Sequence, residues 1–79
     1  MPNWEPDQWF MRADGKGFIL AHQNEGSLTA WSIMESSQDN PTDVVLHPLG
    51  LDEDEARQAW AQLRECALAM GPLTDDSAT

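Results

Sequence analysis

GLDEDEARQAWAQLRECALAMGP, residues Gly50 to Pro72, decides the fold. Ala56, Ala59, Trp60, Leu63, Cys66, Ala67 and Met70 recur at steps of three and four residues. At helical periodicity they fall on one apolar stripe. The spacing predicts a helix from Glu53 to Met70, with Cys66 as a small core residue, and Gly71 followed by Pro72 is a stop signal. The acidic run Asp52 to Glu55 has a local explanation. Asp52 stands at the N-cap, Glu55 three residues later completes a capping box, and acids in a first turn favour the positive end of the helix dipole. Without that run the chain still holds ten acids against four bases, a balance of −6, so capping accounts for the run but not for the charge.

Upstream, QWFMRADGKGFILAHQNEGSLTAWSIMES (Gln8 to Ser36) reads as a meander of three strands. Asp14 to Gly17 and Asn24 to Ser27 are its turns. SSQDNPTD breaks the pattern, Val44 to His47 makes a short fourth strand, and Pro48 is expected to end its pairing. With Ala13 opposite Phe18 and Gln23 opposite Leu28, one face carries Trp9, Met11, Phe18, Leu20, Trp31 and Ile33, ending in His22 and Thr29. The other carries Phe10, Arg12, Ile19, Ala21, Leu28, Ala30 and Ser32. The expected fold is α+β: an antiparallel three- to four-stranded meander with one C-terminal helix packed on its richer face.

At 79 residues the chain holds one domain, residues 1–72, followed by a flexible polar tail, residues 73–79. Cys66 is the only cysteine, which excludes an intramolecular disulfide and fits a reducing compartment. Met1 to Trp9 has no leader-like apolar region, and no apolar run approaches membrane-spanning length. A soluble, cytoplasmic protein is expected.

The formal net charge is −10. Arg12, Lys16, Arg57 and Arg64 are scattered singly, which argues against direct binding of nucleic acid or an anionic membrane. A protein with a basic surface is the partner the field favours. The plainer reading is that the acids only keep a small protein in solution.

Chemistry finds little support. His22, His47 and Cys66 lack zinc-site spacing, and Asp39 and Asp43 lack the alternation of a calcium loop. The serines sit in no nucleophile elbow, and DGKG is a hairpin turn without phosphate-loop spacing. No enzyme activity, metal or cofactor is expected. The tryptophans at 4, 9, 31 and 60 are read mainly as core cover.

Phe10, Ile19, Leu28 and Ala30 would form an apolar patch that nothing left in the chain covers, hence a candidate interface, with a homodimer as one occupant. Edge-strand pairing is the competing geometry. The layout of WFMRADGKGFILA, LTAWSIMES and DEDEARQAWAQL resembles the three-strand-plus-helix modules of phage integrase arm-binding and plant-type DNA-binding domains. Those modules carry basic residues on the sheet, where this face offers only Arg12, so their DNA binding is not carried over.

In size, acidity and plan the chain also resembles small phage-encoded inhibitors of the anti-CRISPR and DNA-mimic type. That likeness implies a non-catalytic inhibitor docking on a basic nucleic-acid-binding surface of a CRISPR-Cas or other nucleic-acid-handling complex. Its partner-binding acids would be those the fold does not need: Asp14, Glu25, Glu35, Asp39, Asp43, Glu53 and Asp54. The alternative is a structural or regulatory module, antitoxin-like or a phage accessory protein, that binds through its apolar sheet face.

The cap is testable alone. Asp52→Ala should lower stability by about 0.5–2 kcal/mol, and Glu53→Gln or Asp54→Gln by much less. Equal losses at all three positions in urea unfolding would mean that the run acts by charge alone.

Overall fold

The structure is a computed structural model that describes residues 4–40 and 42–75. Its elements run β1 (Glu5–Met11), β2 (Lys16–Glu25), β3 (Leu28–Ser37), β4 (Val45–Gly50), α1 (Glu53–Leu68) and β5 (Thr74–Asp75). The strands form one sheet of order β4-β3-β2-β1-β5, antiparallel at every pairing. The α+β expectation is met, with a fifth strand at the edge. Of residues 73–79, expected as a tail, Leu73 packs on the core and Thr74 and Asp75 form β5. Residues 76–79 lie outside the described residues.

The β2–β3 turn is tighter than expected. Glu25 pairs Leu28, and Gly26, at φ 65°, takes the first turn position of a two-residue hairpin, where a left-handed conformation favours glycine. The expected register was two residues away, an even shift, so each side chain of β2 and β3 keeps its expected face.

The β1–β2 connection changes more. Met11 pairs Gly17 and Phe10 pairs Phe18, a shift of three from the expected register. An odd shift turns β1 over: Phe10 and Arg12 face the helix, and Trp9 and Met11 face away. Residues 12–16 form the longer loop, closed by Arg12 N–H to the Lys16 carbonyl at 2.8 Å and by Lys16 N–H to Asp14 Oδ1 at 3.2 Å. Phe10 therefore leaves the expected apolar interface and is fully buried in the core.

Two smaller expectations also change. Pro48 does not end β4, because pairing continues through Pro48–Ser32 to Gly50. On an edge strand the missing N–H can be left facing outward. Cys66 is exposed rather than core. Ala56, Trp60 and Ala67 are the buried helix residues, with Leu63 partly packed, and Cys66 falls about 100° around the helix from Ala67. The helix ends at Leu68, and Met70 is exposed. At its start the Asp52 cap is as expected, with Asp52 Oδ1 accepting from Glu55 N–H at 3.1 Å, but the return bond of a capping box, from Asp52 N–H to the Glu55 carboxylate, is not formed among the described residues.

The core is one layer between α1 and the inner sheet face: Phe10, Phe18, Leu20, Trp31 and Ile33 against Ala56, Trp60 and Ala67. The Trp60 ring lies 4.9 Å from that of Phe10, and its indole N–H donates to Gln8 Oε1 at 3.1 Å. Trp60→Ala should cost about 3–5 kcal/mol in urea unfolding. Leu46→Ala, on the exposed side of β4, should stay within about 0.5 kcal/mol. A small loss at Trp60 would contradict the helix placement.

Candidate protein-interaction surfaces

The predicted acids divide between the two ends of the sheet. Lys16 pairs Ser37, so the β1–β2 loop and the segment after β3 share one end, which carries Asp14, Glu35, Asp39 and Asp43. The β2–β3 turn with Glu25, and the start of α1 with Glu53 and Asp54, lie toward the other end, where Gly50 pairs Trp31. Ten residues of β2 span the gap, about 30 Å at strand rise.

Several of these acids are held internally. Asp14 takes a two-point contact from Arg12 at 2.9 and 2.6 Å. That hydrogen bond, helped by the Lys16 N–H and opposed by slight desolvation, holds its carboxyl down at about 2. For Glu35 burial pushes the carboxyl up, but His47 Nε2 at 3.1 Å and Lys16 Nζ at 3.5 Å outweigh it and the net direction is down. Glu53 accepts from Arg57 Nε at 2.8 Å one helical turn away. Arg57 also reaches Asp7 at 2.9 Å, and that hydrogen bond lowers Asp7 against the opposing effect of burial. Glu25 accepts from the Gln23 side chain at 2.8 Å. Asp39, Asp43 and Asp54 are exposed and make no ion pair among the described residues.

The cations tell a simpler story. Arg12 is held by Asp14, Lys16 by Glu35, Arg57 by Asp7 and Glu53, and Arg64 by Asp75 at 2.6 Å. A groove of about 500 Å3 between β1 and α1 contains both Arg57 and Arg64, yet each guanidinium already faces a carboxylate. No group of three His, Cys, Asp or Glu side chains gathers as metal ligands would among the described residues. Nor is any helix long and apolar enough to cross a membrane among them.

The second surface is the outer sheet face. Ile19, Leu28 and Ala30 share it, as the alternation predicts, but Ile19 and Ala30 are half-buried and their neighbours Ala21 and Ser32 are fully buried, so of the expected open patch only Leu28, 55% exposed, stands uncovered. Reversal of β1 removes Phe10 and adds Trp9 and Met11, while Met34 and Leu46 extend the patch to the β4 edge. The sequence signal that could have found Trp9 was the turn length after Met11, since parity alone decides which of Trp9 and Phe10 faces out.

The surfaces belong to an α+β protein of one helix on a five-stranded antiparallel sheet. No family model, curated sequence or solved structure matches the chain.

The ion pairs set a pH dependence. Asp7, Asp14 and Glu35 are depressed in the folded state, so their contribution is present above the unfolded carboxylate value near 4. It is lost as pH falls through the folded values, that of Asp14 lying at about 2. Arg57→Gln should lower Tm at neutral pH, with the difference from the parent shrinking as pH falls below about 4 and through the depressed value of Asp7. A constant difference across that window would show that Arg57 acts by packing over Trp31, 5.2 Å from its ring, and not through charge.

Proposed function

We propose that this is a non-catalytic binding protein that docks its unpaired acids on a basic, nucleic-acid-binding protein surface and blocks that surface. The observation that carries this reading is that every Lys and Arg is held by a carboxylate within the fold. Asp39, Asp43, Asp54 and Glu55 are exposed and have no ion pair among the described residues. A surface with fixed negative charge and no free Lys or Arg among the described residues repels phosphate and attracts Lys- and Arg-rich grooves. Among nucleic-acid-handling complexes, the CRISPR-Cas class is the one that the resemblance to phage inhibitors singles out. Asp14, Glu35 and Glu53, engaged at home, contribute less to such docking than the unpaired acids.

The alternative reading, an interaction module working through the apolar sheet face, is favoured by the exposed Trp9, Leu28 and Leu46. Salt separates the two, since charge docking weakens as ionic strength rises and apolar docking does not.

Capture from the source cytoplasm at low and high salt should recover basic nucleic-acid-binding proteins at low salt only, and their nucleic-acid binding should fall when this protein is added. Asp39→Lys with Asp43→Lys, or Glu25→Lys with Asp54→Lys, should weaken the captured complex about tenfold or more while leaving Tm nearly unchanged. If both double reversals bind like the parent and Leu28→Glu abolishes binding, the electrostatic reading fails and the apolar face takes its place.

A further inference from the structure

We infer that the free edge of β4 accepts an extended segment of the docking partner as an added antiparallel strand. The basic character of that segment rests on the docking proposed above; the strand site itself rests on the backbone of β4.

The first argument is backbone chemistry. β4 ends the sheet, and Val45, Leu46, His47 and Pro48 are all exposed. Proline has no N–H, so the Ser32–Pro48 pair is one across which no bonds are exchanged. Bonded and non-bonded pairs alternate in an antiparallel ladder, which puts the bonds to β3 at Ile33–His47 and Glu35–Val45. The N–H and C=O of Leu46 then point to the open edge, with the Pro48 carbonyl beyond them. No backbone bond outside the ladder takes up either group of Leu46 among the described residues. Pro48 therefore leaves the edge open and fixes its register. An added strand must set one residue opposite Leu46, and its pairing stops at Pro48 for want of a donor.

The second argument is the side chains. Edge strands are ordinarily guarded by charge, yet β4 contains no Asp, Glu, Lys or Arg. Val44, Val45 and Leu46 are each nearly half exposed. By alternation Val44 and Leu46 stand on the outer face and Val45 on the helix side, so consecutive apolar residues in an added strand cover all three.

Charge selects the occupant. Asp39 and Asp43 precede the strand, exposed and without an ion pair among the described residues. An antiparallel segment passes His47, Leu46, Val45 and Val44 in that order and then meets these acids. Its Lys and Arg therefore belong after its apolar residues. A second copy in the same register would carry its Asp39 and Asp43 toward the acids Asp52 to Glu55 that follow β4, and like charges disfavour it.

Amide hydrogen exchange of the intact free chain tests the register: His47 should be protected and Leu46 should not. NMR titration with a blocked synthetic peptide, TTVIVKRK, whose third residue is designed to lie opposite Leu46, tests the docking. Saturable shifts centred on Val44 to His47 are expected, with the Leu46 amide becoming protected. N-methylation of the third peptide residue, whose N–H meets the Leu46 carbonyl, should weaken binding about tenfold or more. N-methylation of the fourth, whose N–H points away, should cost far less. Asp39→Lys with Asp43→Lys should weaken binding of this peptide and not of its neutral counterpart TTVIVSQS. If the two peptides bind alike and both keep the methylation pattern, the strand site stands and the acidic docking fails. A protected Leu46 amide in the free protein, equal losses from the two methylations, or shifts that leave β4 untouched would each overturn the inference.

Discussion

The contact between Phe10 and Trp60 is the constraint on which the rest of the structure depends. The ring centroids stand 4.9 Å apart, and the Phe18 ring lies 5.2 Å from that of Phe10. A buried indole needs an acceptor for its N–H, and Gln8 supplies one from the same side of β1 as Phe10. Both demands fall on alternate residues of one strand, so a single orientation of β1 meets both. One turn before Trp60, Arg57 reaches Asp7 beside the irregular stretch of β1 pairing, which ties the helix to the same strand again. Once β1 is held this way, Trp9 and Met11 have nowhere to go but outward. The apolar outer face follows from the packing of the inner one.

The charges follow a similar logic. Exposed ion pairs contribute about 0–1 kcal/mol each, too little to account for the fold. Their larger effect is on what remains at the surface. Arg12 locks to Asp14 in the first hairpin, Lys16 and His47 converge on Glu35, and Arg64 holds Asp75 beside β1. Each pair removes a cation from the surface, and the acids left over stand near the strand ends and on the helix. The molecule thus presents negative ends, a mixed helix side and a neutral sheet face.

How much of this was legible follows from what each signal measures. Periodicity reports which residues share a face, so the helix, its Asp52 cap and the faces of β2 and β3 were readable. Turn composition reports that a hairpin exists but not how many residues it uses. That number decided whether Phe10 or Trp9 entered the core, because side-chain parity reverses with each single-residue shift. Pro48 misled because a proline marks an edge as well as an end. Cys66 misled because a stripe drawn from spacing alone is wider than the seam that meets a flat sheet. For the acids, the sequence showed their number and not their partners. The Arg12–Asp14 lock is a neighbour contact within one loop, whereas the Arg57–Asp7 pair joins residues 50 apart in the chain and needs the fold to be seen.

An exposed apolar sheet face on a small chain is ordinarily a route to open-ended aggregation, and the arrangement here limits that route. Growth by adding strands edge to edge meets Pro48 on one side, and β5 with the irregular stretch of β1 on the other. Growth by stacking would need two apolar faces, but the helix already covers one and brings the charges of Glu53, Arg57 and Arg64 with it. The net charge of −10 repels any close approach that does not bury neutral surface in return. One neutral face on an otherwise acidic molecule, closed at its centre by the burial of Ala21 and Ser32, therefore offers little for open-ended growth, and it leaves the acidic ends free to face a basic surface.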